Sequence, residues 1–131
     1  MERKTANTGA FANLPVPMQL REVRRIAKKY DIDLTGLTIK IQRDEELLRL
    51  RKTGCADHSC IGRIDLFPLA FANEREVAST LVHEIAHVNQ YREHGSAEVM
   101  DNFSRFEEEA EAIEEMFNSC YWDGGKADDL D

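Results

Sequence analysis

Residues 73–95 constrain this chain more than any other stretch. Val77, Leu81, Ile85 and Val88 recur at i, i+4, i+8 and i+11, the spacing of one face of an α-helix. Asn73 stands where an N-cap is needed, and Glu76 three residues on completes a start resembling a capping box. The helix is expected to reach about Glu93 and to stop at Gly95, since glycine ends helices cheaply. A helix of that length is roughly 30 Å long. One apolar face on so long a rod demands a core beside it, and the remaining chain has to supply it.

The rest of the sequence offers suitable partners. Pro15 and Pro17 are expected to open a helix running to about Tyr30, because proline is tolerated in a first turn. Leu20, Val23, Ile26, Ala27 and Tyr30 would face inward. Arg21, Arg24, Arg25 and Lys28 line the opposite face, with Lys29 beside them. Residues 37–41 alternate as a strand, with Leu37, Ile39 and Ile41 on one side. DEELLRLRK fits a short helix or a strand equally, TGCADHSC reads as a loop, and residues 61–67 read as a second strand. A final helix should run from Ser96 or Val99 to about Trp122, with Phe103, Phe106, Ala110, Ile113 and Phe117 inward and Gly124 and Gly125 ending it. This order predicts an α+β domain over 15–122 with a small sheet, a flexible arm over 1–14 and an acidic tail over 123–131.

A length of 131 residues suits one domain. The net charge is −8, but it is unevenly placed. Residues 107–131 hold ten acids and one base, whereas residues 1–106 hold 15 acids and 16 bases. Overall acidity argues against whole-surface attraction to DNA or anionic membranes. No window approaches the roughly 18 apolar residues of a membrane helix, and the N-terminus lacks the apolar core of a signal peptide. Cys55, Cys60 and Cys120 are an odd number and a poor disulfide framework, so a reducing cytoplasm is expected.

The long helix also carries chemistry, in His83-Glu84-Ile85-Ala86-His87. Positions i and i+4 lie one turn apart on one face, so two imidazoles can converge on one Zn²⁺. The residue after the first histidine projects about 100° round, where a carboxylate can reach the metal's open water position. A hydrolytic zinc usually takes a third protein ligand. Gln90 and Glu93 stand where the metzincin pattern would place its glycine and third histidine, so that pattern is not continued. The next helix offers Glu107, Glu108, Glu109, Glu111, Glu114 and Glu115, of which Glu107, Glu109 and Glu114 flank the apolar face. Tyr91, His94 and Tyr121 are candidate donors to a developing oxyanion.

HEIAH followed by Glu107-Glu108-Glu109-Ala110-Glu111 resembles the gluzincin metallopeptidases, in which HExxH is followed by a downstream glutamate-bearing helix. The 20-residue step from His87 to Glu107 is similar to the spacing in the thermolysin family. Residues 61–122 also resemble small bacterial and phage-borne HExxH domains such as the ImmA/IrrE-like group. The resemblance implies a zincin-like fold, with a small sheet packed on the HExxH helix and a second, C-terminal ligand helix. It implies one zinc ion per chain, held by His83, His87 and Glu107, with Glu109, Glu111 and His94 as alternative third ligands. His94-Gly95 is similar to the step from which SprT-like proteases draw a third histidine. Glu111 becomes the carboxylate that accepts the free N–H of a ligating histidine. Glu84 becomes the general base for a zinc-activated water, in an endopeptidase acting on a protein or peptide substrate. The strand over 61–67 would offer an edge for an extended peptide, as in the resembling peptidases.

Other signals are weaker. Cys55-x-x-His58-x-Cys60 offers three ligands for a second zinc at a spacing that fits no common module. The basic face of the first helix could contact phosphates. The alternative reading is therefore a non-catalytic, zinc-stabilised module associated with nucleic acid or with regulation.

Overall fold

Seven regular elements follow one another along residues 6–123, the part of the chain that the computed structural model describes. They are α1 (Leu20–Lys29), β1 (Thr38–Ile41), β2 (Gly54–Ala56), β3 (Arg63–Leu66), α2 (Glu74–His94), α3 (Ser96–Asp101) and α4 (Phe103–Asn118). The architecture is α+β, with a three-stranded mixed sheet and the long α2 packed against α4. The strand order is β1-β3-β2. β1 runs parallel to β3, with Thr38 opposite Arg63 and Ile41 opposite Leu66. β2 runs antiparallel to it, with Gly54 opposite Leu66 and Ala56 opposite Ile64. Strand alternation sets the faces of β3: Ile64 and Leu66 are fully buried, while Arg63 and Asp65 face the other way and pair at 3.0 Å.

The core lies between the sheet and α2. Val77, Leu81 and Val88 of α2 meet Val23 and Ile26 of α1, Ile64 and Leu66 of β3, and Phe71 and Phe106. Each such side chain contributes about 1.5–3 kcal/mol by leaving water. Both ends of α2 fall where local signals place them. The Asn73 Oδ1 accepts the Glu76 N–H at 2.8 Å. Gly95, at φ +85°, donates its N–H to the Tyr91 carbonyl at 2.9 Å, a backbone conformation that a side chain would strain.

Three expectations are corrected. The first helix begins at Leu20, not at the prolines. Proline forces the residue before it into extended conformation, so residues 14–18 form a strap rather than a first turn. Val16 donates to the Phe71 carbonyl at 3.1 Å. The Asn7 side chain donates to the Leu14 and Val16 carbonyls at 3.0 and 2.7 Å and accepts the Met18 N–H at 2.9 Å. Residues 7–18 are thereby tied down, including part of the stretch expected as a flexible arm.

The final helix is broken at Asn102, whose N–H returns to Glu98 and Val99 and whose side chain donates to the Glu98 carbonyl at 3.0 Å. An asparagine that satisfies helical carbonyls in this way ends α3. Phe106 and Ala110 are buried as expected, but Phe103 and Ile113 are each 41% exposed. Finally, TGCADHSC contains β2, and DEELLRLRK contains a 3-10 turn over Glu45–Arg49, capped by Asp44.

Tyr30, Phe117, Tyr121 and Trp122 form an aromatic cluster, with Tyr30 and Trp122 at 4.8 Å between ring centroids. No helix among the described residues is long and apolar enough to cross a membrane. The acidic tail, apart from Asp123, lies outside the described residues.

Candidate metal centre

α2 and α4 run antiparallel, and side-chain bonds mark their register. The Ser79 hydroxyl meets Asn118 Oδ1 at 2.8 Å near one end, and Gln90 Nε2 donates to the Phe106 carbonyl at 2.9 Å near the other. Between these ties, His83 and His87 sit one turn apart with ring centroids 5.0 Å from each other. Their Nε2 atoms lie 2.9 and 2.8 Å from the same atom, Oε1 of Glu107. The three ligand atoms all fall within 4.8 Å of one another, and this group could hold a metal ion. Two imidazoles and one carboxylate make the donor set that zinc takes in hydrolytic sites with a position left open. The residues present fit the ion.

The outer ring nitrogens are held too. His83 Nδ1 lies 2.9 Å from Glu114 Oε1, and His87 Nδ1 lies 2.8 Å from Gln90 Oε1. Both partners are acceptors, so each Nδ1 carries a proton, leaving Nε2 to serve a metal. Glu111, expected to take such an N–H, is exposed on α4, and Glu114 stands against His83 instead. Glu109 accepts the second Gln90 N–H at 3.0 Å. His94 pairs with Glu98 at 3.0 Å and lies beside Phe106. Neither joins the convergent group. Tyr121 belongs to the aromatic cluster, with its hydroxyl 3.4 Å from Asp31. Tyr91 is buried beside His87, with ring centroids 6.4 Å apart, and borders the cleft.

The electrostatics follow from these contacts. The hydrogen bond to Glu114 is the main reason His83 is raised to about 9; burial opposes it, and the charges of Glu84 and Glu107 support it. Burial works to raise the Glu107 carboxyl, but hydrogen bonds and charge from His87 and His83 outweigh it and hold it below its ordinary value. Burial pushes Glu84 up, against the pull of the two histidines and of a hydrogen bond from the Ala56 N–H.

That last bond ties the site to the sheet. Thr53 accepts from Phe67 at 2.8 Å and Asp57 donates to Arg63 at 3.0 Å, so these alternate residues spend their peptide groups on the β3 side. Gly54 and Ala56 therefore direct theirs to the open side. β3 is flanked on both sides and has no free edge, which corrects the expectation for residues 61–67; the sheet's edges are β1 and β2, and β2 is the one beside the histidines. A cleft of about 720 Å³ runs along it, bordered by His83, Glu84, Glu107, Met100 and Phe103. β2 sits unusually close to α2. A Cβ on Gly54 would lie 2.7 Å from Thr80 Cγ2 and 2.8 Å from the Asp65 carbonyl.

Among the described residues, no other trio of metal-ligating side chains converges, so Cys55, His58 and Cys60 do not assemble a second zinc site. On α1, Arg25 and Lys29 are engaged by Glu74 at 2.7 and 3.0 Å, which removes two charges from the basic face. Comparison with known proteins finds no matching family model, curated protein or solved structure.

Proposed function

We propose that the chain is a zinc-dependent endopeptidase of gluzincin type, acting on an extended segment of a protein or peptide. The observation that carries this reading is the convergence of His83 and His87 on one oxygen of Glu107, beside a buried Glu84 and an open strand edge. When bound, zinc supplies a Lewis acid for the scissile carbonyl and brings a water's pKa toward neutrality.

The chain's own residues do the rest. His83, His87 and Glu107 hold the ion. Glu84, whose carboxyl burial pushes upward, takes the proton of the attacking water and returns it to the leaving amine. The outward peptide groups of Gly54 and the outward carbonyl of Ala56 pair with the substrate backbone and hold it extended, while the Ala56 N–H holds Glu84. Tyr91, whose hydroxyl burial holds in its protonated form, borders the cleft beside His87 and is the donor for the developing oxyanion. Met100 and Phe103 give the cleft an apolar wall.

The test compares zinc content and cleavage of an unstructured protein by wild type and Glu84→Gln. The expected result is one zinc per chain in both, with cleavage reduced at least about 100-fold in the variant. Cleavage at an unchanged rate would sink the mechanism.

A further inference from the structure

Gln90 is a polar side chain that is only 3% exposed and makes three hydrogen bonds. Two of them fix how its amide lies. A backbone carbonyl, that of Phe106, and a carboxylate oxygen, that of Glu109, can only accept; both therefore face the NH₂ group, at 2.9 and 3.0 Å. Turning the amide over would set its oxygen against two other oxygens. The remaining atom, Oε1, must then point at His87 Nδ1, 2.8 Å away, and that nitrogen must carry the proton. Two groups on α4 thus dictate the tautomer of a histidine on α2. The same amide pins the carbonyl one residue before Glu107, so the turn that delivers the third ligand is gripped by the group that orients the second.

We infer that Gln90 is the positioning residue of the centre, holding His87 in its Nδ1–H form and tying that orientation to the turn of α4 that carries Glu107. The inference rests on the metal-site reading above. His83 is oriented by a carboxylate, whereas His87 is oriented by a neutral amide whose direction α4 imposes.

The test uses ¹⁵N-labelled full-length protein. In the zinc-loaded wild type, His87 is expected to coordinate through Nε2, with its Nδ1–H resolved and protected from exchange. The Gln90 side-chain amide protons are expected to be protected with and without zinc. Gln90→Met, similar in length but unable to accept the Nδ1–H or to donate, is expected to lose the protected His87 signal and about 10- to 100-fold in zinc affinity. Coordination through Nδ1, or an unchanged signal and affinity in Gln90→Met, overturns the inference. The wild-type spectrum decides even if a variant does not fold. Failure of the wild type to take up zinc overturns the peptidase reading instead; rapid exchange of the Gln90 amide in zinc-free protein overturns this one.

Discussion

His83 shows how a single contact sets the behaviour of the centre. Its pKa is raised to about 9, chiefly through Glu114, so at pH 7 the ring carries the extra proton before metal arrives. Coordination through Nε2 must expel that proton. Zinc binding at pH 7 is therefore expected to release about one proton from His83, and affinity should climb roughly tenfold per pH unit before levelling near pH 9. Calorimetry in buffers of different ionisation enthalpy reads this directly; identical heats in all buffers would refute it. Glu114 was visible in the sequence as one of three glutamates flanking the apolar face of its helix. The family pattern favoured Glu111 through its position within ExxAE. Helical geometry explains the outcome. At about 100° per residue, Glu111 stands about 40° round from Glu107, whereas Glu114, seven residues on, returns to within about 20°. With α2 antiparallel, those two turns of α4 reach back from His87 to His83.

At the scale of elements, legibility tracks how local the cause is. α2 could be read almost to the residue, because the Asn73 cap, the apolar period and Gly95 all lie within it. β2 could not. Gly-Cys-Ala has no strand period to show, and its pairing with β3 and its fit on α2 are both tertiary. The break at Asn102 was hidden for a related reason, since asparagine acts on whichever carbonyl the fold presents. β2 also supplies a prediction. With Thr80 on one side and the Asp65 backbone on the other, Gly54 has no room for a methyl group. Gly54→Ala is expected to cost about 1–3 kcal/mol in denaturant unfolding, and to weaken the proposed peptide cleavage by moving Ala56 off Glu84. An unchanged unfolding midpoint would show that strand and helix separate more easily than their contacts imply.

For the molecule as a whole, a net charge of −8 conceals an ordered arrangement. Glu107 and Glu114 turn toward the histidines, while Glu108, Glu111 and Glu115 are exposed on the outer side of α4. Glu74 joins the start of α2 to α1, and the hydrogen bond from Arg25, then that from Lys29, hold its carboxyl below the usual range. A carboxylate lowered on folding stabilises above its unfolded pKa, near 4.5, and that contribution fades as pH falls through the folded value. Glu74→Gln is accordingly expected to lower Tm by no more than a few degrees at pH 7, with the gap closing below about pH 4. A gap that persisted in acid would point to packing rather than charge. The overall class and the convergent trio were legible because they depend on patterning and spacing; the open edge was not, because strand order is a property of the assembled sheet. That edge also bears on how the protein keeps to itself. Exposed strand edges attract any extended chain, including another copy of the same molecule. The three residues of β2, Gly54 to Ala56, offer too few backbone bonds to hold a second sheet for long. A visitor stays only if its side chains suit the cleft beside that edge, so a strand this short limits pairing between copies.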